Sequence, residues 1–218
     1  MHARALLLVL MVIIVSYKGS NMKNVKVMNV TKVLMVALTL LSVNSFAQTV
    51  ESTANRNVNQ QERIEKGLES GALNTKEAAK LEHAEGRVDH MEAAALKDGN
   101  VTAQEADRIQ QQQNKVSKEI YQQKHNAQLG NPDSASSKRM QNDVERNVNQ
   151  QQRIATGVSN GTLTAQETAR LERGQAQVSR REAKAGADGH VGANEQAKIQ
   201  AKENRESKRI HRKKHNDK

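Results

Sequence analysis

An internal duplication constrains this chain more than any other feature. Residues 55–126 align with residues 145–216 at a constant offset of 90 positions and without a gap, so that residues 57–61 (Asn-Val-Asn-Gln-Gln) recur as residues 147–151. A repeat of this length predicts two copies of one structural unit. Residues 127–144, which contain Gly130 and Pro132, separate the copies and have the composition of a linker.

Each copy contains two turns of the form Gly-x-aliphatic, and each turn precedes a predicted helix. A glycine ends the preceding helix by adopting a positive φ, and a cap residue followed by Glu begins the next one. Thr102 with Glu105 and Thr164 with Glu167 form capping-box patterns, and Asn74 with Glu77 comes close to one. The four turn glycines are Gly71, Gly99, Gly161 and Gly189.

Apolar spacing predicts three helices per copy and no strand. Leu81, Ala84, Val88 and Met91 follow one another at intervals of three or four residues, as on one face of a helix. The fold class expected is all-α, with two tandem three-helix repeats forming a helical hairpin or bundle. The core of one copy is poor in large side chains, so we expect the copies to pack together, to self-associate or to bind a protein partner. The predicted ranges are 55–69, 75–96, 102–125, 144–159, 165–186 and 192–214.

The first 47 residues predict export. Residues 22–47 combine early lysines, a short apolar run and the ending Ser45-Phe46-Ala47, the pattern of a cleavable secretion signal. We therefore expect translation to begin at Met22, residues 1–21 to be a mis-assigned start, cleavage to follow Ala47, and the mature chain to be periplasmic or secreted. A two-segment membrane anchor in residues 1–47 is the alternative. The mature part would comprise repeat 1 (48–126), the linker (127–144) and repeat 2 (145–218).

Two of the glycine turns resemble the second half of an EF-hand calcium loop. Asp98 with Glu105, and Asp188 with Glu195, supply the carboxylates that such a loop carries in the middle and at its end. The opening of each loop lacks oxygen ligands, although calcium takes six to eight. Calcium binding at these four residues is one hypothesis, and glycine turns with helix caps are the alternative.

Other site chemistries find little support in the sequence. The chain has no Cys, which excludes disulfides and thiolate ligands. His211 and His215 have the spacing of a metal-binding pair, but three cations lie between them, so surface histidines are the better interpretation. His83 and His90 are seven residues apart on one predicted helix, too far to share an ion without another element. The sequence carries no phosphate-binding loop and no Ser-His-Asp pattern, so we expect neither an enzyme nor a resident cofactor.

The basic character of the mature chain lies in its second half. Residues 51–130 carry 11 basic and 13 acidic side chains, whereas residues 131–218 carry 18 and 11. The last predicted helix is the most basic segment, which suggests contact with an anionic envelope surface. The mature chain has one aromatic residue and no nucleic-acid reader motif, so specific nucleic-acid binding is not expected. The candidate residues for the anionic surface are Lys202, Arg205, Lys208, Arg209, Arg212, Lys213 and Lys214.

The duplicated pattern resembles small exported bacterial proteins of uncharacterised function with Gly-x-Leu-Thr-x-x-Glu helical repeats. The matching residues include Arg63-Ile64, Gly161 to Thr164, Asp98-Gly99 and Lys124-His125. The resemblance implies helical repeats outside the cytoplasm and carries no activity. Three hypotheses follow. The first is an interaction protein that uses the Asn/Gln-rich first helices and the exposed long helices to bind a protein or itself. The others are a divalent-ion (calcium) binder that uses the EF-hand-like turns, and a protein that binds the envelope through residues 202–218.

Overall fold

The computed structural model describes residues 50–216 and confirms the all-α prediction. Six helices occupy this part of the chain, and it contains no strand. None of these helices is both long and apolar enough to cross a membrane. The predicted signal and its cleavage after Ala47 lie outside the described residues. The helices are α1 (50–69), α2 (Thr75–Ala95), α3 (Ala103–Lys124), α4 (Ala135–Ser159), α5 (Ala165–Ala185) and α6 (Ala193–Lys214).

The predicted turn chemistry is confirmed. Gly71, Gly99, Gly161 and Gly189 have φ between 71° and 94°, and they are the positive-φ residues of the described chain. Complete capping boxes begin α2, α3 and α5, and the one that begins α2 is formed by Asn74 with Glu77. Helix α6 lacks a capping side chain at Gly192, but Glu195 still accepts a hydrogen bond from the Gly192 N–H at 2.9 Å.

The predicted start of α4 at residue 144 is wrong, because the helix begins at Ala135. Ser134 is the N-cap, and its side chain accepts a hydrogen bond from the Ser137 N–H at 3.1 Å. The serines that suggested a linker therefore begin a helix. The loop before α4 is anchored to repeat 1, because the Gly130 N–H donates to the Gly71 carbonyl at 2.8 Å.

Helices α2 and α5, which are repeat equivalents, form the central pair of the bundle. They run antiparallel, since Gly86 of α2 lies against Ser179 of α5 while Ala79 lies against Gly186. A Cβ built on Gly86 would lie 3.2 Å from the Ser179 Cβ, so the helix axes approach closely because small residues line the contact. Each helix thus presents the same face of the repeat to the other.

The two copies share one hydrophobic core. A single cluster of buried side chains combines residues from both repeats, among them Leu81, Val88, Met140, Val178 and Ile199. Packing of the two copies was one of the three expected ways to supplement a thin core, and the structure shows it.

Candidate functional site

The four carboxylates proposed for calcium are engaged at helix starts and turns. Asp98 accepts a hydrogen bond from the Asn100 N–H at 3.1 Å, and Asp188 accepts one from the His190 N–H at 2.8 Å. Glu105 accepts from the Thr102 N–H at 2.9 Å, and Glu195 plays the same role at Gly192. Residues 50–216 contain no group of three or more His, Asp or Glu side chains placed to hold a metal ion. Calcium binding stays a prediction from the sequence.

The histidine pair at the end of α6 has a structural counterpart without a second histidine. The rings of His211 and His215 stack with centroids 4.3 Å apart, and His215 Nδ1 lies 2.8 Å from the His211 carbonyl oxygen. In repeat 1, Tyr121 and His125 stack in the same way at 4.1 Å, and His125 Nδ1 lies 2.7 Å from the Tyr121 carbonyl oxygen. Since tyrosine serves equally well, the arrangement is a helix-end packing feature of the repeat.

Four of the seven basic residues proposed on α6 are held by contacts within the chain. Lys202 is buried and contacts Glu206 at 2.6 Å, and Arg209 contacts the same carboxylate at 3.0 Å. Lys213 lies 3.6 Å from Glu167, and Lys214 donates to the Arg153 carbonyl. The remaining three, which are exposed, are Arg205, Lys208 and Arg212.

Charge is completely segregated on the central helices α2 and α5. All eight of their acidic residues are buried, and all eight of their Lys and Arg residues are exposed. On α2, the exposed positions recur at intervals of four and three, which places them on one stripe of the helix. We call the exposed positions of the pair the basic face: Lys76, Lys80, His83, Arg87, His90 and Ala94 on α2, and Gln166, Arg170, Arg173, Gln177, Arg180, Arg181 and Lys184 on α5.

An open groove runs along one end of the basic face between the two helices. Its volume is about 380 Å³, and its alanine-lined wall is flanked by Lys76, Lys80 and His83 of α2 and by Arg180 and Lys184 of α5. The small residues that let α2 and α5 approach also leave this depression between longer basic side chains. The groove contains no acidic lining residue. It offers an anion several donors without a competing carboxylate.

The centre of the basic face is ordered by contacts among its own side chains. The Arg87 guanidinium lies 2.6 Å from His83 Nδ1, which accepts its hydrogen bond when that nitrogen is unprotonated. The stem of Arg180 packs over Gly86, because a Cβ at Gly86 would lie 3.8 Å from Arg180 Cγ. Gln177 accepts a hydrogen bond from Lys202 of α6 at 2.7 Å, which joins α6 to the edge of the face.

The interior beneath the basic face is rich in carboxyl groups that meet across the α2–α5 contact. Burial raises the pKa of Glu82, which also shares a hydrogen bond with the Glu182 carboxyl. Burial raises the pKa of Glu92 well above its usual value, and the charge of Glu172 adds to this effect. For Glu172 itself, burial raises the pKa to about 7. Neutral carboxyl groups are therefore the interior state that burial favours.

Three of the four repeated amide side chains in each first helix face this interior. The Asn57 amide donates to both oxygens of Glu92 at 2.9 Å, and the Asn147 amide donates to Glu182 at 2.7 Å. Gln61 donates to Glu82, and Gln151 repeats this contact with Glu172, both at 3.2 Å. The other repeated amides, Asn59 and Asn149, are exposed, so partner binding through the first helices stays a prediction. Six of the repeated amides are buried and act as internal donors: Asn57, Gln60, Gln61, Asn147, Gln150 and Gln151.

The sequence itself contains a pattern that indicates this charge segregation. The acids of α2 from Glu82 to Glu92 recur at intervals of three and four residues, as an apolar core stripe does, while its bases occupy a different stripe. The helical period, applied to acidic and basic residues separately, assigns these two sets of side chains to different sides of α2. No protein-family model, curated protein or solved structure matches the chain, so the interpretation of this face depends on its geometry.

Proposed function

We propose that this chain is an exported, non-enzymatic helical protein that binds an extended anionic polymer of the cell envelope through the basic face of α2 and α5. The observation that carries the proposal is the charge segregation of the central helices. Surface cations that are not neutralised by neighbouring carboxylates attract and retain a polyanion.

The shape of the face favours a linear partner. From Lys76 to Ala94 the stripe on α2 spans 19 residues of helix, or roughly 27 Å between its ends at the rise of an α-helix. The groove between α2 and α5 provides a track for a narrow chain. Arg180 in the groove and the other arginines of the basic face supply forked donors for phosphate or carboxylate groups.

A lipid surface fits this face less well. Peripheral helices that lie on membranes insert large apolar side chains beside their cations. In residues 50–216, the large apolar side chains that are exposed are Tyr121 and Leu129, and neither belongs to α2 or α5. Export itself is proposed from the secretion-signal pattern of residues 22–47. N-terminal sequencing of the protein isolated from its natural source tests it, and a chain that begins at Gln48 supports it. A naturally produced chain that retains Met1 contradicts it.

The binding experiment compares two triple variants that remove the same charge. The first, Lys80→Ala with Arg180→Ala and Lys184→Ala, empties the groove of three cations. The second, Arg205→Ala with Lys208→Ala and Arg212→Ala, removes the three exposed cations of α6. Linear inorganic polyphosphate is the probe, and its affinity is measured by fluorescence anisotropy over a series of salt concentrations.

We expect the groove variant to lose at least tenfold in affinity and to reduce the salt dependence, because three charge contacts no longer release counterions. The α6 variant should bind nearly as the parent does. Equal losses in both variants would contradict the assignment to this face. Retention on vesicles containing an anionic phospholipid without any binding to polyphosphate would replace the polymer by a membrane surface.

A further inference from the structure

Two buried positions carry Gln in one repeat and Glu in the other, and the exchange is crossed. Glu85 of repeat 1 corresponds to Gln175 of repeat 2, while Gln113 of repeat 1 corresponds to Glu203 of repeat 2. All four side chains are at most 2% exposed. Gln and Glu have the same shape, but the amide carries N–H donors, whereas an ionised carboxylate carries none.

At the first position, the amide of repeat 2 makes a contact that a carboxylate cannot make. Gln175 Nε2 donates to Gln150 Oε1 at 3.0 Å. The counterpart of Gln150 in repeat 1 is Gln60. The two side chains have the same orientation, because the Gln60 amide donates to the carbonyl of residue 113 and the Gln150 amide donates to the carbonyl of residue 203. In the described chain, Gln60 Oε1 and both Glu85 oxygens lack a hydrogen-bond partner.

At the second position, the same relationship occurs with the repeats exchanged. Gln113 Nε2 donates to Asn57 Oδ1 at 2.7 Å in repeat 1. The corresponding acceptor in repeat 2, Asn147 Oδ1, has no partner within residues 50–216, and neither does Glu203 Oε1. At both positions, therefore, the Gln side chain of one repeat donates a hydrogen bond to a buried amide oxygen. The equivalent amide oxygen in the other repeat, where the residue is Glu, has no donor. A buried acceptor left in this way costs roughly 1–3 kcal/mol.

We propose that Glu85 and Glu203 are proton-binding sites: each holds one proton in the folded protein at neutral pH, and donates it to Gln60 Oε1 and to Asn147 Oδ1, respectively. A protonated carboxyl group has one O–H donor, which can replace the N–H donor of the Gln side chain in the equivalent position of the other repeat. The duplicated network is then satisfied in the same way in both copies. This inference is independent of the proposed binding function.

The groups that face Glu85 favour its neutral form. Burial raises its pKa well above the usual value, and the charge of Glu82 on the same helix raises it further. Arg63 and Arg56 of α1 lower it, and Glu119 of α3 raises it. Both guanidinium groups are hydrogen-bonded elsewhere, to Ser117 for Arg63 and to Asn114 for Arg56. The raising contributions prevail.

Glu203 has a closer cation and still favours the neutral form. Burial raises its pKa to about 8, and Asp143 of α4 and Glu82 of α2 contribute in the same direction. Burial raises the pKa of Glu182 of α5 well above its usual value, and the charges of Glu82 and Glu203 add to this effect. Arg146 Nε lies 2.8 Å from Glu203 Oε2 and lowers the pKa. A neutral acid can accept from Arg146 with one oxygen and donate with the other.

The direct test is a pH titration of the glutamate side-chain carboxyl carbons by NMR in the purified protein. Glu85→Gln and Glu203→Gln identify the two signals by their loss, and exposed Glu69 is the internal reference. We expect both signals to keep the chemical shift of the protonated acid at pH 7. Titration of either signal near pH 4.3, the usual glutamate value, would overturn the proposal for that residue.

A reciprocal set of variants tests the energetic consequence. Between the pKa of the unfolded chain and the raised pKa of the folded protein, the carboxyl holds its proton only in the folded state. Over this pH range the folding equilibrium constant falls by up to about tenfold for each pH unit. Glu85→Gln and Glu203→Gln should therefore raise the urea midpoint at pH 8 and leave it nearly unchanged at pH 4.

The opposite exchanges, Gln175→Glu and Gln113→Glu, should fold like the parent protein at pH 4 and lose stability at pH 8. Equal effects of all four exchanges at both pH values would contradict the two proton sites. The titration of the parent protein decides the question even if Gln175→Glu or Gln113→Glu does not fold, because the signals are identified with the other two variants.

Discussion

Gly86 of α2 lies against Ala176 of α5, which occupies the same position in the other repeat. A Cβ at Gly86 would be 3.3 Å from the Ala176 carbonyl oxygen and 3.2 Å from the Ser179 Cβ. A contact between equivalent residues marks the point where the two copies face each other symmetrically. The duplicated chain thus pairs its copies as a symmetric dimer pairs its subunits.

Gly86→Val should separate the central helices and destabilise the fold by roughly 1–3 kcal/mol, because backbone and packed side chains surround the added methyl groups. Urea unfolding at fixed pH measures the change. Ala94→Val on the exposed end of α2 is the matched control and should have a much smaller effect. A Gly86→Val protein as stable as the control would show that the contact tolerates separation.

Gly161→Ala should cost about 1 kcal/mol, because the residue has φ of 71° and L side chains disfavour that region. The space around it is not the reason, since a Cβ there would meet nothing within 4 Å. Gly161→Asn should recover part of the loss, as Asn tolerates the left-handed region better. Thermal unfolding of the two variants compares them, and an Ala variant more stable than the Asn variant contradicts the conformational explanation.

Glu105→Ala should destabilise the protein by about 0.5–1 kcal/mol in the absence of calcium, because the carboxylate accepts the Thr102 N–H and favours the positive start of α3. Glu195→Ala should behave similarly at the start of α6. Thermal unfolding is measured in a chelator and again with added calcium. A loss confined to the calcium-containing sample would favour the ion-binding hypothesis over the cap.

Glu172→Gln should make the protein more stable than its parent at pH 8 and comparably stable at pH 4. Burial raises the pKa of Glu172 to about 7, so the folded chain binds the proton more tightly than the unfolded chain. The stabilising contribution is complete below the usual glutamate pKa and is lost as the pH rises through about 7. Unfolding at both pH values measures this, with exposed Glu69→Gln as control. A Glu172→Gln protein that is less stable than its parent at pH 8 contradicts it.

Local chemistry predicted the helices well. The glycine turns and caps gave the start of α2 at residue 75 and of α5 at residue 165 as the structure has them. The start of α4 could not be predicted, because serine is common both in loops and at helix N-caps, and Ser134 is the N-cap of this helix. The basic candidates on α6 were predicted from their density, but density does not show that Lys202 and Arg209 share Glu206 inside the bundle.

The sequence by itself determined the duplication, the all-helical class and the turns, because these depend on neighbours within a few residues and on a repeat that can be read directly. The tertiary structure decided which charges face outward and which amides and acids lie inside. That choice depends on the antiparallel contact of α2 with α5, where residues about 90 positions apart come together and burial changes the proton affinity of each carboxyl group.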